Sequence, residues 1–113
     1  MKKDPKVFLE HITYSINQIE RYTKNISAKQ FMDDVETQDA VMRRFEIIGE
    51  ATKNLPEELK GKYPDIKWRQ IAGLRDKLIH EYFGVDTNLV WKLVSRDLKL
   101  FKTEILKLIK ELG

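Results

Sequence analysis

The sequence predicts an all-α protein, a four- or five-helix bundle of up-down topology. Three observations lead there. Apolar residues recur every three or four positions along most of the chain. No stretch alternates with a period of two for long, so strands are not expected. The five Gly and three Pro are scarce and fall at joints between the apolar stripes. At 113 residues the chain fits a single domain over 1–113. Its 42% hydrophobic content supports a modest core under a heavily charged surface.

The first helix starts at Asp4-Pro5, a capping carboxylate followed by a first-turn proline. Phe8, Ile12, Ile16, Ile19, Tyr22 and Ile26 form its stripe, which carries the helix to about Ile26. Ser27 can cap a short helical turn through Phe31 and Met32. A second stripe (Val41, Phe45, Ile48, Ala51, Leu55) predicts helix from about Glu36 to Asn54. Pro56 ends or re-caps it, and PEELKGKYP reads as one helical turn closing at Pro64. A third main helix is expected from about Trp68 to Tyr82, stopped by Gly84. Asp86 or Thr87 caps the last one, whose stripe runs Val90, Leu93, Val94, Leu98, Phe101, Ile105, Leu108, Ile109, Leu112. The long stripes of the first and last helices either all face one core or reserve some surface for a second copy of the chain.

Composition excludes several chemistries. Cys is absent, which removes disulfides, thiolate nucleophiles and cysteine metal sites. Two His, His11 and His80, are too few for a multi-histidine metal site within one chain. No metal or cofactor is expected. No apolar run approaches the roughly 20 residues of a membrane span, and MKKDPKV has no apolar stretch behind its lysines, so a cytoplasmic protein without a membrane partner is expected. The formal charge of +3 permits a polyanionic partner without requiring one.

The segment Leu74–Asp86, LRDKLIHEYFGVD, concentrates the chemistry. On a helical wheel Trp68, Ile71, Ala72, Leu74, Leu78 and Ile79 make one apolar arc, and Arg75 and Tyr82 land inside it. An arginine cannot shed its charge, so there it needs a carboxylate, a phosphate or a wet cleft. Glu46, Glu50 or Asp39 of the preceding helix could supply a carboxylate, which makes a buried ion pair the structural alternative. Asp76 and His80 are four apart and so neighbours, a carboxylate able to fix the tautomer of an imidazole. Gly73 leaves space on the same strip one turn earlier. Arg75 and His80 are offset by about 140°, and a long guanidinium stem can still bend toward the ring at a cleft edge. The pair suits metal-free RNA cleavage. A histidine with a pKa near ~6.5 moves protons at neutral pH, and an arginine stabilises charge growing on phosphoryl oxygens. Since the reaction benefits from a base and an acid, two copies meeting at a cleft would complete the set.

The run Arg75-Asp-Lys-Leu-Ile-His80-Glu-Tyr82 resembles the HEPN superfamily signature, and specifically the HepT-like toxins of MntA–HepT toxin–antitoxin systems. The similarity extends to Phe45–Ala51 around Gly49-Glu50-Ala51, to Trp68, Ile71, Gly73 and Leu74, and to Phe83–Asp86 followed by Val90-Trp91. The resemblance implies a HEPN-type bundle forming a homodimer, with Arg75 and His80 as catalytic residues of a metal-independent endoribonuclease in a shared cleft. It implies Asp76 as a supporting residue, in a position commonly occupied by Asn. It also implies Tyr82 as the acceptor of AMP from an MntA-like nucleotidyltransferase antitoxin, a modification that would block RNA. The alternative is a non-catalytic helical module that binds nucleotide or serves the transferase as accessory subunit.

Other residues carry weaker signals. Arg69 and Lys77 lie near the motif and could hold RNA phosphates; Arg43, Arg44, Lys62 and Lys67 could extend that rim. Asp33, Asp34, Glu36 and Asp39 could face a cation, yet sit where helix capping explains them. Lys99, Lys102, Lys107 and Lys110 form the polar side of an amphipathic helix, and His11 receives no function.

Overall fold

A computed structural model of the chain describes residues 4–74, 76, 77 and 87–112. Among these the chain is helical and contains no strand. Helix α1 spans Pro5–Thr23 and begins where Asp4 accepts from the Lys6 N–H at 2.9 Å. It stops earlier than the sequence stripe suggests. Asn25 takes a left-handed φ of 62°, which cannot continue the helix, and Ile26 packs from the loop. Helix α2 (Ala28–Met32) opens on a reciprocal capping box, with Ser27 Oγ accepting from the Gln30 N–H and Gln30 Oε1 accepting from the Ser27 N–H. Helix α3 (Val35–Lys53) is capped by Asp34. Its carboxylate accepts from the Thr37 N–H and hydroxyl, which holds its pKa below the ordinary value. Gln38 closes the α2–α3 joint by donating to the carbonyls of Phe31 and Met32.

Helix α4 (Glu57–Gly61) is the turn expected after Pro56. Helix α5 covers Trp68–Ala72, a shorter unit than the long helix expected there. Gly73 forms a turn, still with right-handed backbone, and Leu74, Asp76 and Lys77 are helical again. The N–H of Lys77 donates to the Gly73 carbonyl at 3.0 Å, so the helical register is carried through the glycine. The remainder of that expected helix, to Tyr82, lies outside the described residues.

The last helix is also divided. Helix α6 (Thr87–Lys92) leads into a π turn, Leu93–Asp97, and then into α7 (Leu98–Leu112). The Leu98 N–H donates to the Leu93 carbonyl five residues back. The reason lies in the spacing. Val90, Val94 and Leu98 are each four apart, more than the 3.6 residues of a regular turn, so an unbroken helix would carry the stripe sideways. The extra residue keeps all three buried.

The core follows the stripes. Leu9, Ile12, Ile16 and Ile19 of α1 meet Val41, Phe45, Ile48 and Ala51 of α3, with Leu98, Phe101, Ile105 and Leu108 of α7 completing it. Helix α1 packs on α3 and α7, and α5 packs on α3. Phe8 and His11 share a hollow with Glu50 and Asn54, whereas Tyr14 meets Arg44, so α1 and α3 run antiparallel. Lys102 reaches Glu20 at 2.7 Å and ties α7 to α1. Leu100, Leu106 and Leu112 of α7 remain exposed, so the apolar content of that helix is not spent on its own core alone. No described helix is long and apolar enough to cross a membrane.

Candidate functional site

The segment leading into the Arg-x4-His motif is positioned by Trp68. Its indole N–H is shared between the carbonyls of Lys60 and Tyr63, at 3.1 and 3.0 Å, where α4 ends. This anchors the start of α5. Ile71 and Leu74 then pack inward against the core, and Arg69, Asp76 and Lys77 are exposed. Arg75, His80 and Tyr82 lie outside the described residues. Of the residues read as site members, Asp76, Arg69 and Lys77 therefore receive a described position.

Asp76 has a partner that the sequence reading did not supply. Its Oδ2 accepts from Lys53 Nζ, at the end of α3, at 3.3 Å. Both side chains are largely solvated, 56% for Asp76 and 38% for Lys53, so the pair adds little stability. Its value is electrostatic and local. Asp76 directly follows Arg75 in sequence, and the lysine offsets part of its negative charge. The available signal was Lys53 as the basic residue in the last turn of its helix, a placement that macrodipole arguments explain equally well. Gly73, one turn before Lys77, is half-buried. A Cβ there would meet carbonyl oxygens of the preceding turn, Arg69 at 3.3 Å and Gln70 at 3.6 Å.

Two concavities flank α3. The first, of about 270 Å³, lies between α3, α5 and the π turn with α7; Phe45, Ile48, Ile71, Leu74 and Phe101 line it. Asp65, Asp97, Glu104 and Lys67 stand among its polar lining. Burial, with Asp65 adding to it against Lys67, pushes the Glu104 carboxyl above its ordinary value. The second, of about 320 Å³, lies between α1 and α3 and is lined by Phe8, His11, Arg43, Glu46, Ile47, Glu50, Ala51 and Asn54. Arg43 donates to Glu46 across 3.4 Å, and Asn54 donates to the Glu50 carbonyl at 2.8 Å. His11 therefore belongs to a polar hollow. Its position one residue before Ile12, beside the apolar stripe, gave no sign of that. Among the described residues no group of His, Asp and Glu is arranged to hold a metal ion.

The family model for ribonuclease HepT-like proteins matches residues 12–108. The chain belongs to the ribonuclease HepT-like family. It is 47% identical over 110 residues to a Thermococcus cleftensis protein named "Probable ribonuclease HepT", covering 97% of this chain and all of that one. It is 51% identical over 112 residues to a Methanocaldococcus jannaschii protein named "Gamma-glutamylcyclotransferase and putative RNase", covering 99% of this chain; the chain spans 50% of that longer relative. A third relative, from Caldanaerobacter subterraneus subsp. tengcongensis and named "Putative RNase", is 41% identical over 109 residues, covering 96% of this chain and 97% of its own length. No solved structure matches the chain.

Proposed function

We propose that this HepT-like chain is the toxin of a toxin–antitoxin pair, a metal-independent endoribonuclease acting at the cleft of a homodimer. The observation that carries the reading is an intact Arg75-x4-His80 motif in a chain of the ribonuclease HepT-like family. In the proposed reaction the ribose 2′-oxygen attacks the adjacent phosphorus and His80 takes its proton. The bond from phosphorus to the 5′-oxygen breaks, and the partner copy's protonated imidazole gives that oxygen a proton. The products are a 2′,3′-cyclic phosphate and a 5′-hydroxyl, with no net consumption of water or metal. Arg75 donates to the phosphoryl oxygens as charge builds on them. Lys53, by pairing with Asp76, limits the repulsion that the carboxylate would exert on the phosphate. Arg69 and Lys77, both exposed beside the motif, serve as phosphate contacts.

Control of this activity falls to an MntA-like nucleotidyltransferase antitoxin. The Tyr82 hydroxyl oxygen attacks the α-phosphorus of ATP and gives up its proton to solvent, pyrophosphate leaves, and the tyrosine keeps the AMP. The added phosphate neutralises Arg75 and excludes RNA from the cleft. The test uses single-stranded RNA in EDTA with the wild-type chain and its Arg75→Ala and His80→Ala variants. Cleavage that resists the chelator and falls at least a hundredfold in each variant supports the enzyme. An inactive, unmodified wild-type chain supports instead a non-catalytic partner of the transferase. Mass spectrometry after incubation with the transferase and ATP locates the AMP; a label on any residue other than Tyr82 refutes the control mechanism.

A further inference from the structure

The hollow between α1 and α3 has a construction suited to a nucleobase. Phe8 and His11 meet edge to face at 87°, with centroids 6.4 Å apart, and form a corner of two perpendicular rings. Opposite them, α3 contributes Glu46. Its carboxylate is only a quarter exposed and its charge is met by an Arg43 that is 71% exposed, on a bond stretched to 3.4 Å. Cation and carboxylates share the lining, which suits a neutral heterocycle with hydrogen-bond donors better than a bare phosphate. One turn further along α1, Tyr14 is 56% exposed and carries the Arg44 guanidinium 5.2 Å above its ring. The Gln18 amide donates to the Tyr14 hydroxyl at 3.2 Å and holds the ring in place. A ring corner, an aromatic platform and two arginines thus run in one line along the α1–α3 seam. Exposed rings beside arginines are what single-stranded RNA uses for stacking and backbone contact. The other end of the seam, at Asn54, adjoins Lys53, which holds Asp76, the residue after Arg75.

We propose that this hollow is a base-recognition subsite of the ribonuclease, taking an unstacked guanine of single-stranded RNA. The inference rests on the ribonuclease reading and deepens it. The base stacks on one ring of the Phe8–His11 corner and meets the other edge-on, and its N1–H and 2-amino group donate to the two oxygens of Glu46, a pairing that uracil cannot make. Arg43 turns outward to the neighbouring phosphate, and the next base lies on Tyr14. His11, silent in sequence, is a ring of the binding corner.

The experiment titrates the full chain with hexauridylates that carry one internal guanosine, inosine or uridine, read by fluorescence anisotropy. Every ribose is 2′-O-methylated so that nothing is cut. Guanosine binds at least about tenfold more tightly than uridine, and inosine, which keeps N1–H and lacks the amino group, falls between. Glu46→Gln brings the three within about twofold of one another. His11→Ala weakens the guanosine oligomer several-fold. No guanosine preference in the wild-type chain, a preference that survives Glu46→Gln, or no binding of any oligomer overturns the subsite. Cleavage of natural RNA separates the two readings: cutting without base preference refutes the subsite alone, and guanosine preference without cutting refutes the ribonuclease alone.

Discussion

Helix α3 is bordered by two concavities of similar size, one mainly apolar and one of mixed lining. On the side of α5 and α7 its Phe45 and Ile48 face an apolar cleft; on the side of α1 its Arg43, Glu46, Glu50 and Asn54 face a polar hollow. The difference separates the tasks of one helix. Side chains on the apolar side exchange water for packing, and the fold depends on them. Side chains on the polar side stay partly hydrated, so they can be set for recognition at little cost to stability.

The comparison predicts a graded series of substitutions. Ile48→Ala, at a position 1% exposed, should lose about 2–5 kcal/mol of stability by denaturant unfolding. A smaller loss would mean the cleft side collapses around the gap. Trp68→Phe should cost about 1 kcal/mol, because the carbonyls of Lys60 and Tyr63 lose a shared donor. The same variant should loosen the start of α5, seen as faster amide exchange at Ile71. Glu104→Gln sharpens the picture of the apolar cleft through pH. The folded chain holds the Glu104 proton more tightly than the unfolded chain, since burial and Asp65 raise its pKa from the usual 4.5. The stability this gives is complete below that value and is lost as pH rises through the raised one. The melting temperature of Glu104→Gln should therefore gain on wild type with rising pH across that window, and parallel profiles would contradict it. Smallest of all, Glu46→Gln on the polar side should change stability by no more than about 0.5 kcal/mol. A loss near that of Ile48→Ala would erase the distinction between the two sides.

Much of the bundle was legible in the sequence because burial imposes its period on it. The stripes of α1, α3 and α7 are the core, and the carboxylates and serine read as caps at Asp4, Ser27 and Asp34 do cap. The misreadings share a cause. Apolar period does not report a single backbone torsion, so the left-handed Asn25 was invisible and α1 was carried too far. The π turn did leave a trace, the double four-residue step Val90–Val94–Leu98, which a search for ordinary helices absorbs without notice. The site was legible as a motif and less so as a surface. Arg75, His80 and Tyr82 stand out in sequence by type and spacing. Lys53 beside Asp76, 23 residues away, and His11 across from Glu46 are juxtapositions made by packing between helices, and no local pattern carries them.

The chemistry of the RNA ends tests the central claim most directly. The chain is incubated with single-stranded RNA in EDTA and the fragment termini are read by mass spectrometry. Attack by a ribose hydroxyl predicts 2′,3′-cyclic phosphate and 5′-hydroxyl ends, absent with His80→Ala. Fragments ending in 3′-hydroxyl and 5′-phosphate, or cleavage undiminished in that variant, would contradict the account.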